Sequence, residues 1–156
     1  MAEQGDGVRQ LVVFELANEV YGINIGTVRE IIRMQTVTYV PDSPGFVEGV
    51  INLRGRVIPV VDLRKRFGLP VTDATNESRV LVVDISGDDI GVIVDAVTEV
   101  QRISEDSIEP TTTLVTTEDS YYIEGIAKVD DQLLILLDLE KALDSTDVRT
   151  AVAAAA

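Results

Sequence analysis

Two aspartates, Asp62 and Asp138, are the residues whose types and positions come closest to a catalytic pair. Each follows an apolar run, and an offset of 76 residues superimposes the two runs. Two carboxylates placed in this way on similar units would suit a hydrolase that shares one proton between them. However, the residues that follow, Leu63-Arg64 and Leu139-Glu140, open helices rather than wrap tightly around a dyad. We therefore interpret both aspartates as helix N-caps.

The composition excludes most other catalytic chemistry. The 156 residues contain no His and no Cys, which excludes Ser-His-Asp and Cys-His systems, disulfides and the usual zinc, haem and iron–sulfur sites. The glycines do not form a phosphate-binding loop followed by Lys and Ser or Thr. Asp84, Asp88 and Asp89 lack the spacing of a calcium loop and are interpreted as a solvated turn. We expect a protein without enzymatic activity, cofactor or metal.

Short apolar runs rich in β-branched residues predict a mostly β fold. Residues 27–33 are compatible with either a short helix or a strand. Short strands at this spacing are typical of small barrels or a sandwich. Four hairpin turns are predicted between neighbouring runs, at Ala17-Asn18-Glu19, Arg54-Gly55, Ser86-Gly87-Asp88-Asp89 and Asp130-Asp131.

The chain also contains an internal repeat. An offset of 69 residues places Leu11–Ile31 on Val80–Val100 without a gap. After seven additional residues in the second copy, an offset of 76 places Gly49 on Gly125. The alignment of glycines as well as apolar residues indicates a duplication.

The duplication predicts one domain, residues 1–156, built as two similar small β-barrels with short helices. The repeat units span about residues 9–69 and 79–143. The start of the chain is polar, and no apolar run approaches the roughly 20 residues of a membrane helix. We therefore expect a soluble cytoplasmic protein that does not insert into a membrane.

The charge is unevenly distributed along the chain. The net charge is −14, of which −1 falls in residues 1–79 and −13 in residues 80–156. Nucleic-acid binding is disfavoured because phosphate contacts need a basic surface. The asymmetry either serves solubility or indicates that the two halves prefer different partners.

Residues 27–33 form an amphipathic stretch with apolar positions at Val28, Ile31 and Ile32. These three side chains either face the core or leave one apolar edge near the surface. Arg54 lies at the tip of a predicted turn, where the second unit has Asp130. Arg54 is either an ordinary solvated turn residue or has a role specific to the first unit.

The stretch Phe46–Leu69 strongly resembles the signature of the CheW family, above all in Gly49-Val-Ile-Asn-Leu-Arg-Gly55. The resemblance covers about residues 9–143. Further matching segments are Phe14 with Val20-Tyr-Gly-Ile23, Val28-Arg-Glu-Ile31, Ile93-Val-Asp-Ala-Val97 and Leu133-Leu-Ile-Leu-Leu-Asp-Leu139.

The resemblance implies a stand-alone chemotaxis adaptor with two SH3-like five-stranded barrels and no catalytic activity. Proteins of this family bridge the cytoplasmic tip of chemoreceptors to the histidine kinase CheA, in receptor arrays at the inner membrane. By motif match, the implied receptor-binding residues are Val28, Ile31, Arg54 and Val97. The implied contacts with the CheW-like regulatory domain of the kinase are Glu30 and Val80.

Two alternatives stay open at this point. A CheW-like scaffold could serve another receptor–kinase pathway, such as pilus motility. A carboxylate-dependent hydrolase would need Asp62 and Asp138 within about 3–5 Å of each other.

Overall fold

Two-residue turns reverse the chain direction in each of the predicted hairpins. The computed structural model describes residues 7–41, 47–110 and 122–143. In the first hairpin, Ala17 and Asn18 have φ of 52° and 69°. Two successive positive φ angles are typical of type I′ turns, whose twist matches that of the flanking strands. The same geometry occurs at Arg54-Gly55, Ser86-Gly87 and Asp130-Asp131, so all four predicted hairpins are confirmed.

Strands dominate the described residues, as predicted. They are β1 (Val8–Leu16), β2 (Glu19–Asn24), β3 (Val28–Arg33), β4 (Val47–Leu53), β5 (Arg56–Asp62), β6 (Arg79–Ile85), β7 (Asp88–Val94), β8 (Ala96–Ser104), β9 (Ile108–Pro110), β10 (Ile123–Val129) and β11 (Gln132–Leu137). Two short helices follow strands, α1 (Leu63–Arg66) and α2 (Leu139–Ala142). Within the described ranges, neither helix has the length and apolar character needed to cross a membrane.

Each barrel takes one hairpin from the other repeat unit. In the first barrel the strand order is β8-β1-β2-β11-β10-β9, so the β1–β2 hairpin lies among strands of the second unit. In the second barrel the order is β3-β6-β7-β5-β4, so the β6–β7 hairpin lies among strands of the first unit. A parallel pairing joins each exchanged hairpin to a strand of the other repeat unit. Gly22 pairs with Leu136 and Gly91 pairs with Val60, so the register is the same in both barrels.

Each barrel is closed by the segment that continues its outer strand. In the second barrel, Thr38 and Val50 exchange two backbone hydrogen bonds of 2.8 Å, which join the continuation of β3 to β4. In the first barrel, β9 pairs with β10 after a 3-10 turn at Glu105–Ser107. The predicted fold class, two SH3-like barrels related by duplication, is confirmed. The first barrel has six strands rather than five because this turn divides its outer strand into β8 and β9.

The apolar residues form three cores, of which the largest lies between the barrels. Among the described residues, this shared core contains 18 buried residues, whereas the interior of each barrel contains six. A large apolar side chain contributes roughly 1.5–3 kcal/mol when it is fully buried. The shared core is therefore the larger source of stability.

Equivalent residues of the two repeats occupy equivalent cores. In β1, Leu11 and Val13 fill the first barrel, while Val12 and Phe14 point into the shared core. This division follows from the alternation of side chains along a strand. The corresponding residues of β6 divide in the same way, with Val80 and Val82 inside the second barrel and Leu81 and Val83 in the shared core.

Gly49 is required where the second barrel closes. Its φ is 148°, and a Cβ atom built on it would lie 2.0 Å from the carbonyl oxygen of Thr38. The obstacle is backbone that is already paired with Val50, so it cannot move aside without opening the closure. Gly125, its repeat counterpart, would place a Cβ 2.7 Å from the carbonyl oxygen of Glu109.

We predict that Gly49→Ala lowers the free energy of unfolding by about 3 kcal/mol or more, because it combines a strained φ with a backbone clash. Urea unfolding followed by circular dichroism measures the change. Gly26→Ala is the matched control, since nothing lies within 4 Å of the added methyl group. Equal stability of the two variants would contradict the proposed role of Gly49 in closing the barrel.

Candidate partner-binding surface

The segment that the sequence left open between helix and strand is the strand β3. Its burial alternates along Val28–Arg33, and a bulge between Val28 and Glu30 shifts its register against β6, so Val28 and Ile31 point to the same face. Val28 lies opposite Val83 and packs against the shared core. Ile31 lies opposite Leu81, on the same face, but is 43% exposed.

The strand β8 repeats this arrangement on the first barrel. Val97 lies opposite Phe14 and packs against the shared core. Val100 lies opposite Val12 and is 51% exposed. Since directly opposed residues of two strands point to the same face, Val100 continues the face that carries Val97.

We call Val28, Ile31, Val97 and Val100 the apolar rim. Each barrel contributes one half-buried valine and one exposed apolar residue, and both valines pack against the shared core. The structure thus places three of the predicted receptor-binding residues, Val28, Ile31 and Val97, on the apolar rim. Val100 was missed by the motif match, although the offset of 69 residues that relates Val28 to Val97 also relates Ile31 to Val100.

Arg54 is joined to β3 by an ion pair with Glu30. Arg54 lies in the β4–β5 turn, which is also held by a 2.8 Å hydrogen bond from the Gly55 amide to the side-chain oxygen of Asn52. The Glu30 side chain is about one-third exposed and that of Arg54 is mostly exposed. The ion pair therefore brings a predicted receptor contact and a predicted kinase contact together.

Val80 cannot be a contact residue, and its assignment to the kinase-binding set is wrong. Its side chain is 0% exposed and lies in the interior of the second barrel. Its backbone is also occupied, because β6 is an inner strand that pairs Val80 with Ile32 on one side and Ile93 on the other.

Asp89 belongs to an ionic cluster beside the start of β3, rather than to a solvated turn as predicted. Its side chain is only 9% exposed. Its carboxylate forms ion pairs with the Arg29 Nε and the Arg56 Nη2 atoms, each at 2.6 Å. Arg29 also lies 3.2 Å from Asp84. These contacts tie β3, the start of β5 and the β6–β7 hairpin together.

Asp62 and Asp138 are helix N-caps, as interpreted from the sequence. The Asp62 carboxylate accepts from the Arg64 amide at 2.9 Å, and the Asp138 carboxylate accepts from the Lys141 amide at 3.2 Å. Burial raises the pKa of Asp62, although the hydrogen bond from Arg64 acts in the opposite direction. Among the described residues, each carboxylate caps its own helix, and the two helices follow strands of different barrels. The described residues therefore give no support for a catalytic dyad.

Asp95 lies where the chain crosses from β7 of the second barrel to β8 of the first. Its carboxylate accepts two hydrogen bonds from the Arg64 guanidinium, at 3.1 and 2.7 Å, and one from the Ala17 amide at 2.8 Å. Burial alone would raise the pKa of Asp95, but these hydrogen bonds and the Arg64 charge outweigh it and lower the pKa. The charged form of Asp95 is therefore the one that stabilises the fold.

Comparison with known proteins places this chain in one family. A sequence profile of the CheW-like domain matches residues 10–147. The chain is 35% identical to the chemotaxis protein CheW of Bacillus subtilis, over 92% of this chain and 92% of that protein. It is 34% identical to the chemotaxis protein CheW of Treponema pallidum, over 90% of this chain and 85% of that protein.

A solved structure extends this similarity to the fold. The scaffolding protein TtCheW from Thermoanaerobacter tengcongensis superimposes with a TM-score of 0.80 at 46% sequence identity. The match covers 87% of this chain and 92% of the other. The similarity therefore includes both barrels and not only the segment around Arg54.

We predict that Asp95→Asn lowers the free energy of unfolding at pH 7 by roughly 1–3 kcal/mol, because charge-assisted hydrogen bonds are lost. Since the pKa of Asp95 is lowered in the folded protein, its contribution is present above the ordinary carboxyl pKa of about 3.9. It is lost as the pH falls through the lowered pKa. Denaturant unfolding of both proteins from pH 7 to pH 3 should show a difference that shrinks with acid, and a constant difference would contradict this assignment.

Proposed function

Because the chain belongs to the CheW-like family, we propose that it is a chemotaxis adaptor, which couples the cytoplasmic tips of chemoreceptors to the histidine kinase CheA. In this role it catalyses no reaction and acts by holding two partners together. Binding to receptors would recruit it to arrays at the inner membrane.

The observation that carries the proposal is the apolar rim. Ile31 and Val100 are exposed on two different barrels, yet both continue the face of the shared core. An α-helical partner recognises such a surface through apolar residues spaced along one of its faces. The proposed occupant is the receptor tip, a helical hairpin, whose apolar face would cover both residues and gain affinity from their burial.

Arg54 supplies the polar part of the proposed receptor contact. Its guanidinium is largely exposed and can donate charge-assisted hydrogen bonds to a carboxylate on the receptor. Such bonds fix the orientation of a partner whose affinity comes mainly from apolar contacts.

Glu30 remains the proposed kinase-side contact, while Val80 is withdrawn because it is buried. The ion pair between Glu30 and Arg54 then suggests how the two partners influence each other. A kinase group that binds Glu30 competes with Arg54 and leaves its guanidinium available to the receptor. By thermodynamic linkage, a receptor that binds Arg54 favours kinase binding at Glu30 to the same extent.

We predict that Ile31→Asp and Val100→Asp each weaken binding to a receptor-tip fragment at least about tenfold, because a charge is buried in an apolar contact. Isothermal titration calorimetry measures the affinity, and binding to the regulatory domain of CheA reports that the variants are folded. Val71→Asp is the matched control, since Val71 is equally apolar and exposed but lies in the loop after α1. Wild-type affinity in both rim variants would contradict the proposed receptor surface.

We predict that Arg54→Gly weakens receptor binding roughly tenfold while the free energy of unfolding stays within about 1 kcal/mol of the wild type. Glycine accepts the positive φ of Arg54 without strain, so only the side chain is lost. Asp130→Gly makes the same backbone change in the equivalent turn of the second repeat and should leave receptor affinity unchanged. Equal losses in the two variants would show that the effect comes from the turn and not from the arginine.

A further inference from the structure

The two strands that carry the apolar rim are the first strands after the two crossovers between the barrels. β3 follows the crossover at Ile25–Thr27, and β8 follows the crossover at Asp95. Because β3 belongs to the second barrel and β8 to the first, the relative position of the barrels sets the spacing of the two halves of the rim.

Asp95 contacts both barrels at its crossover. Its amide donates to the carbonyl of Glu15 at 3.0 Å, and its carboxylate accepts from the amide of Ala17 at 2.8 Å. Both of these residues flank the end of β1 in the first barrel. The same carboxylate accepts the two bonds from Arg64, which lies on α1 directly after β5 of the second barrel.

Arg64 is well suited to hold this position. Its side chain is only 14% exposed, and a two-pronged guanidinium–carboxylate pair fixes orientation as well as distance. The third guanidinium nitrogen donates to the carbonyl of Pro70 at 2.6 Å. The arginine is therefore held from both sides, unlike a freely moving surface ion pair.

In the part of the chain that the structure describes, the other crossover has no equivalent clamp. The repeat places Gly26 at the position of Asp95, and Glu140 at the position of Arg64. Glycine has no side chain to bridge the barrels. Glu140 instead accepts a 3.3 Å hydrogen bond from the amide of Ser86, which is the counterpart of Ala17. The duplicated fold therefore carries this charged bridge at one of its two crossovers.

We propose that Arg64 and Asp95 are positioning residues for partner binding, which hold β8 against the second barrel and so set the spacing between the two halves of the apolar rim. They do so without touching the partner. The part of this proposal that concerns the partner rests on the proposed receptor function, whereas the part that concerns the spacing does not.

The spacing can be measured directly because the chain contains no cysteine. Arg33 on β3 and Arg102 on β8 are exposed and are equivalent in the repeat. Spin labels on an R33C/R102C protein report the distance between the strands by pulsed electron paramagnetic resonance. We expect a single narrow distance distribution in this background, and a broader or shifted one when Arg64→Gln is added.

Lys65→Gln is the matched control. Lys65 is the next residue of the same helix, and its ammonium lies 2.6 Å from Glu48 on β4, so this ion pair stays within the second barrel. Lys65→Gln should leave the distance distribution unchanged. Asp95→Asn should also broaden the distance distribution. The double variant Arg64→Gln/Asp95→Asn should broaden it no further than the larger of the two single effects, since the two substitutions remove the same interaction.

Binding provides the second readout. We expect Arg64→Gln to weaken binding to a receptor-tip fragment roughly 3- to 30-fold at a temperature where the protein is fully folded, and Lys65→Gln to leave it unchanged. An unchanged distance distribution in Arg64→Gln would overturn the proposal. Broadening with unchanged receptor affinity would overturn its functional half. If the wild-type protein bound no receptor tip, the proposed function would fail, while the distance measurement would still decide whether the pair sets the spacing.

Discussion

The apolar core between the two barrels is the interaction on which the rest of the structure depends. Residues from both repeat units meet there, from Val12 and Phe14 of the first unit to Leu81 and Val83 of the second. Because the units also exchange hairpins, neither barrel is complete without the other unit. Separating the two repeat units would break the parallel pairings of Gly22 and Gly91, and separating the two barrels would expose the largest group of buried side chains among the described residues. Each repeat unit therefore depends on the other for its strand pairing and its packing.

The candidate binding surface is a consequence of this core. The half-buried valines of the rim pack on it, and the exposed residues Ile31 and Val100 extend the same face to solvent. The apolar contribution follows the duplication, since each barrel supplies an equivalent pair. The polar contributions do not, because Arg54 and Asp95 have Asp130 and Gly26 as their counterparts. A duplicated fold has thus acquired different polar contacts on its two halves, which suits a protein proposed to hold two different partners.

Local chemistry made the turns and the caps predictable. The N-cap roles of Asp62 and Asp138 follow from the residue type and its immediate neighbours, and the hairpin turns follow from short polar pairs between apolar runs. The burial of Val80 was not predictable in this way. It belongs to an unbroken apolar run whose residues alternate between the barrel interior and the shared core, so periodicity cannot separate a buried position from an exposed one. Asp89 was misjudged because its arginine partners come from distant strands.

The sequence by itself determined most of the strands, the four turns, the duplication and the family, but it left β3 open between helix and strand. It did not determine which copy of each strand pairs with which. Gly22 pairs with Leu136 in the same register as Gly91 pairs with Val60. The equivalent strands of the two units therefore present the same pattern of side chains. Local preferences are satisfied equally well whether or not the units exchange their hairpins. Only the tertiary structure decided between the two arrangements. That choice brings Asp95 and Arg64 together, because it pairs β7, which ends directly before Asp95, with β5, which ends two residues before Arg64.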